Sequence, residues 1–91
     1  MDDIAFWNIG VDKPIGLDAV LPELPAIKAG QVLVIGGRAP VWLFGRALHK
    51  AHGSAAGAVA FFDPKLGGGV VVASHKPGID EGQVIACTWP F

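Results

Sequence analysis

Gln31-Val32-Leu33-Val34-Ile35, then Gly36-Gly37-Arg38-Ala39-Pro40, then Val41 to His52 follow one another through the middle of the chain. The first piece is a short β-branched run and reads as a buried strand. Two glycines end it and permit a tight turn. Pro40 suits the first position of a helix, and Val41 to His52 supplies about three turns. Val41, Phe44, Leu48 and Ala51 fall at helical spacing and mark the expected buried face, with Arg46, Lys50 and His49 on the other. Gly53 follows as a ready C-terminal cap.

Working outward, Gly57 to Phe62 reads as the next strand, and strand–helix–strand implies a right-handed parallel crossover. Asp63-Pro64-Lys65-Leu66-Gly67-Gly68-Gly69 is turn-forming, so Val70 to Ala73 returns as the second arm of a hairpin. Upstream, Ile4 to Val11 reads as a first strand. Lys13 to Pro25 contains Pro14, Pro22 and Pro25, which limits any helix there to one or two turns. Val84 to Trp89 is expected to close the sheet. The expected fold is α/β: one small domain over residues 1–91, a mixed sheet carrying one principal helix.

Composition agrees with a single packed core. Hydrophobic residues make up 52% of the 91 residues and charged residues 16%, which excludes a disordered chain. The longest apolar-plus-glycine stretch, Ala55 to Phe62, falls far short of the ~18 residues of a membrane span. No charged-then-apolar leader opens the sequence, and Cys87 is the single cysteine. A reducing cytoplasm is the expected compartment, with Cys87 in the core. Trp7, Trp42 and Trp89 read as core or interface residues. So much apolar sequence on so short a chain also points to self-association.

The net charge of −1 conceals a division. Between Gly36 and Lys76 lie Arg38, Arg46, Lys50, Lys65 and Lys76 against one acid, Asp63, together with all three histidines. The remaining residues carry Lys13 and Lys28 against seven acids. An acidic flank disfavours long duplex nucleic acid, which needs an extended basic stripe. A small phosphate-bearing ligand fits better.

Four groups of residues have the types that carry chemistry. Gly37-Arg38-Ala39-Pro40 lies between a strand and a helix, where unpaired amides, close backbone approach and a guanidinium fork suit a phosphate. It is neither a dinucleotide fingerprint nor a P-loop. His49 and His52, three residues apart, share one helix surface, and imidazoles bind metals or exchange protons at neutral pH. Asp63 is the lone acid of the basic stretch, positioned to open a turn, to ligate a metal or to orient a histidine. Lys65 adds phosphate-directed charge beside it. His75, next to Ser74, lies at the far end of the hairpin from Asp63, so joint action of the two calls for a second subunit. Adjacent Ser74 and His75 face opposite ways on a strand, which argues against a serine hydrolase.

Taken together, Gly37-Arg38-Ala39-Pro40-Val41-Trp42-Leu43, Leu48-His49-Lys50-Ala51-His52, Phe62-Asp63-Pro64-Lys65-Leu66-Gly67 and Val70-Val71-Val72-Ala73-Ser74-His75 resemble a CRISPR-associated ring nuclease family. It is the small family of type III systems first described as a manganese-dependent RNA exonuclease. The likeness runs from about Gly36 to Ile85. It implies a hydrolase that cleaves cyclic tetra-adenylate, an antiviral second messenger, to linear oligoadenylates. It also implies dimers, or a dimer of dimers, sandwiching the ring. His52, Asp63 and His75 match catalytic or manganese-associated positions, with Asp63 and His75 as the metal candidates. Gly37, Arg38, Ala39 and Pro40 match the ligand loop, with Lys65 and His49 as further ligand-binding candidates. Lys65 stands where the family often has arginine, and the Gly67-Gly68-Gly69 run carries an additional glycine. Alternative readings are a manganese-dependent exonuclease of RNA 3′ ends and a non-catalytic sensor or sponge for the messenger.

Overall fold

Parallel strands joined in sequence order need crossovers, and two successive crossovers of the same hand fall on one face of the sheet. That rule organises this protein. The computed structural model describes residues 3–91. Strands β1 (Ile4–Asn8), β2 (Val32–Gly36) and β3 (Ala58–Asp63) lie side by side and parallel. Strands β4 (Gly68–Ser74) and β5 (Val84–Ala86) continue the sheet antiparallel, in the order β1-β2-β3-β4-β5. Helix α1 (Val41–His52) forms the β2–β3 crossover and packs over those two strands. The result is the expected mixed sheet with one helix.

The β1–β2 crossover, residues 9–31, contains no helix. Prolines 14, 22 and 25 remove the amides a helix needs, so the permitted turn or two does not form. Instead Val11, Ile15, Leu21, Leu24 and Ile27 pack onto the same face as α1. The guanidinium of Arg46 donates to the Ala19 carbonyl at 3.5 Å and lies over the Trp42 ring at 4.7 Å, joining loop and helix. Beneath them Trp7, Leu33, Ile35 and Val59 form the main core with Leu43, Ala47 and Ala51.

The buried stripe of α1 differs from the expected one. Leu43, Ala47 and Ala51 are fully covered, Phe44 and Leu48 flank them half-buried, and Val41 is 84% exposed. Two alanines at i and i+4 let the backbone approach the sheet closely, which rotates the helix onto its small residues. Val41, in the first turn, faces solvent. Phe44 instead meets Phe61 edge-on at 5.1 Å.

Strand ends differ as well: β4 begins at Gly68 and not Val70, so Gly68 and Gly69, expected in the turn, pair with Asp63 and Phe62. β1 stops at Asn8, not Val11, yet the amides of Ile9 and Val11 still donate to the carbonyls of Gly36 and Arg38. The last strand is three residues, not six, because its partner β4 ends in the hairpin turn at Gly67. Past that point Cys87 retains one bond, to the Gly67 carbonyl at 3.4 Å. The chain then crosses the second face, where Val32, Val34, Ala58, Ala60 and Val71 are buried. Trp89 lies flat enough against Gly36 that a Cβ there would be 2.6 Å from its ring. Its ring also contacts Phe6 at 5.8 Å and stacks on Phe62 at 5.2 Å.

Two substitutions test this packing by urea denaturation. Leu33→Ala empties a fully buried site and is expected to lose about 2–5 kcal/mol. Gly45→Ala places a Cβ in open space on the helix and is expected to add about 0.5–1 kcal/mol. Equal stabilities for the two variants would contradict the core described.

Candidate functional site

The candidate residues occupy two opposite ends of the sheet. At the carboxyl ends of the parallel strands, the place where α/β sheets present ligand crevices, lie the Gly37–Pro40 loop, Asp63 and Lys65. Gly37 has φ +112°, and a Cβ there would be 2.4 Å from Asn8 Oδ1 and 2.5 Å from the Gly10 nitrogen. Only glycine lets the β1 and β2 exits pass this closely. Asn8 Oδ1 accepts the Gly10 amide at 2.9 Å, and the Arg38 carbonyl accepts the Val11 amide at 2.8 Å. The loop backbone is thereby pinned while the Arg38 side chain stays exposed. Among the described residues it makes no ion pair. Pro40 precedes the helix without a side-chain cap, and the first turn has no acid, so the α1 amino terminus is open to an anion.

Asp63 ends β3 half-buried, and its Oδ1 accepts the Lys65 amide at 2.9 Å. This is the turn-opening role its sequence position suggests. Lys65 is exposed at the hairpin tip.

His49, His52 and His75 sit at the other end. His52 is the last residue of α1, and His75 directly follows β4, its amide donating to the Gly57 carbonyl at 2.7 Å. Nδ1 of His52 and Nε2 of His75 are 3.4 Å apart, with ring centroids 4.9 Å apart and planes inclined at 50°. His49, one turn earlier, lines a cavity of about 300 Å³ with Gly45, Leu48, His52 and Ala73. All three imidazoles are exposed.

A β-bulge makes the imidazole contact. Val59 pairs with Ala73 but Ala60 pairs with Val71, so Val72 is an extra residue in β4. Val71 faces the second cluster, Val72 packs toward the helix side, and Ala73 lines the helix-side cavity. Strict alternation from Val71 would have sent His75 to the far face; one inserted residue reverses that and aims it at His52. Ser74 is occupied in a local turn, its hydroxyl accepting the Lys76 amide at 3.1 Å and donating to the Lys76 carbonyl at 3.3 Å. Lys76 Nζ donates to the Gly30 carbonyl at 3.0 Å, closing this end.

Within one protomer, His52 and His75 therefore come together, and neither reaches Asp63. Six residues of β3 separate the Gly57 level from Asp63, about 20 Å at strand rise. Asp63 and His75 cannot hold one ion in a single chain. The basic residues divide likewise, with Arg38 and Lys65 at one end and Lys76 at the other. Sequence reasoning missed Asn8 and Gly10, which brace the Arg38 loop; the signal was the second turn motif, Asn8-Ile9-Gly10, ending β1.

Gly37→Ala is expected to cost about 1–3 kcal/mol through its φ and its contact with Asn8. It should also displace the amide resonances of Gly10 and Arg38. Unchanged stability and spectra would show that the two strand exits are not in contact.

Comparison with known proteins gives a consistent result. An uncharacterized protein of Aquifex aeolicus (strain VF5) is 44% identical over 57 residues, which cover 63% of this chain and 50% of the relative. The chain thus matches about half the length of that curated relative. Residues 9–86 match the family described as CRISPR-associated protein (Cas_csx3), a span that includes the Arg38 loop, Asp63, Lys65 and all three histidines. The chain belongs to this CRISPR-associated family.

Proposed function

We propose that the protein is a ring nuclease that cleaves cyclic tetra-adenylate to linear oligoadenylates and so switches off type III CRISPR signalling. The observation that carries this reading is the His52–His75 pair, 3.4 Å apart, in a chain of a CRISPR-associated family. The Arg38 loop supports it as a phosphate-directed surface whose guanidinium makes no ion pair among the described residues.

RNA supplies its own nucleophile. In the proposed reaction the 2′-oxygen forms a bond to the adjacent phosphorus, and the bond from phosphorus to the 5′-oxygen breaks. One imidazole of the pair accepts the 2′-hydroxyl proton, and the pair returns a proton to the departing 5′-oxygen. Arg38 and Lys65 balance the charge gathering on the phosphoryl oxygens. The two ends of one sheet cannot meet around one phosphate, so the active unit places the imidazole end of one protomer against the Arg38–Asp63–Lys65 end of another. A cyclic ligand suits that arrangement, because a two-fold axis gives opposite phosphates equivalent contacts. Manganese, if bound, would be held by Asp63 and His75 of different protomers and would supply positive charge to the phosphoryl oxygens; the residues of one chain do not form that site.

Incubating the protein with cyclic tetra-adenylate, with and without manganese, and reading products by mass spectrometry tests the proposal. Linear oligoadenylates are expected, and His52→Ala should slow their formation about 10²–10⁴-fold while retaining ligand binding. An intact ring with tight binding would make the protein a sponge. Preferential shortening of linear polyadenylate in competition would make it a 3′ exonuclease.

A further inference from the structure

Helix α1 lies over β2 and β3, so the helix-side face of β1 falls to another element. That element is the β1–β2 crossover, whose Val11, Ile15, Leu21, Leu24 and Ile27 pack on the cluster holding Trp7 and Ile9. Trp7 and Ile9 are 3% and 1% exposed, so the cover is complete.

Its attachment is much sparser than its coverage. Backbone bonds fix the two ends, where the Val11 amide donates to the Arg38 carbonyl at 2.8 Å and the Gly30 amide to the Ala55 carbonyl at 3.1 Å. Among the described residues, one hydrogen bond joins residues 12–27 to the rest of the fold, from Arg46 to the Ala19 carbonyl at 3.5 Å. The Ala19 amide turns inward to the Gly16 carbonyl at 3.1 Å, and Pro14, Pro22 and Pro25 have no amide to give. The remaining hold is apolar contact. Beneath it the Trp7 indole Nε1–H is buried with no acceptor among the described residues. A buried donor left unpaired penalises the closed arrangement, and the same group bonds water once the cover lifts. At the lower end Gly30, with φ +83°, takes a left-handed backbone and supplies a glycine joint.

We infer that residues 12–27 form a strap that leaves the sheet as one unit, hinged at Val11 and Gly30, while the sheet and α1 stay folded. Its consequence lies at the Arg38 loop. Asp12, Lys13 and Pro14 make one wall of a cavity of about 310 Å³, and Arg38, Ala39 and Pro40 make the other. Release of the strap takes away the first wall, so the strap's position sets how enclosed that cavity is. The inference goes beyond the nuclease reading and needs no ligand, so cleavage assays neither support nor sink it.

Hydrogen exchange of the ¹⁵N-labelled full chain, repeated in urea below the unfolding transition, tests it. The Trp7 indole proton should be protected relative to a free indole, yet about tenfold or more less protected than the β2 amides. Its exchange should also depend less steeply on urea than theirs, because strap release exposes less surface than global unfolding. Leu24→Ala loosens the strap and should speed Trp7 exchange about tenfold. The strap is overturned if the Trp7 indole and the β2 amides share one protection and one urea slope, since the cover then lifts only on global unfolding. It is equally overturned if the indole exchanges without protection, or if Leu24→Ala leaves its rate unchanged. Should Leu24→Ala not fold, the two urea slopes of the parent protein decide the matter alone.

Discussion

The length of β3 is the constraint on which the account depends. Its six residues hold the imidazole pair and the Arg38–Asp63–Lys65 group at opposite ends of one rigid sheet. The separation, about 20 Å, exceeds the reach of any side chain. Parallel pairing of β1, β2 and β3 aligns their exits, so everything that follows a strand gathers at one end and everything that precedes it at the other. A chain this small has no other element with which to bring the two groups together. Chemistry that needs both must come from a second copy.

Each end is made specific by one local departure from regularity. At the imidazole end it is the extra residue Val72, which turns His75 to the helix side and sets it beside His52. At the cationic end it is Gly37, whose left-handed backbone lets the β1 and β2 exits run together under Arg38. Both cost regular pairing, and both lie where the candidate chemistry is. Irregularities retained in a small, otherwise well-ordered sheet are where function is expected.

Much of this was legible in the amino-acid order. The bounds of α1, the parallel crossover and the β3–β4 hairpin follow from the β-branched run, the Gly36-Gly37 break, Pro40 and the turn residues after Asp63. The residues of both ends are also distinguishable by type and spacing. What the sequence does not disclose is set by tertiary contact. The rotation of α1 onto Ala47 and Ala51 depends on close approach to the sheet, so Val41 is exposed despite its spacing. The bulge has no local signature in Val70-Val71-Val72-Ala73, because any of these residues suits either face of a buried strand. The three-residue β5 reflects where its partner turns, and the path of Trp89 across Gly36 follows from that early ending.

The central claim, that the working site is assembled from opposite ends of two protomers, is open to a mixing experiment with cyclic tetra-adenylate as substrate. His75→Ala and Arg38→Ala are each prepared alone and then combined under conditions that allow subunit exchange. Each variant alone should be inactive; in the mixture some interfaces join an intact imidazole end to an intact cationic end, and up to roughly a quarter of the parent activity should return. A mixture as inactive as its components, despite demonstrated exchange, would contradict the account.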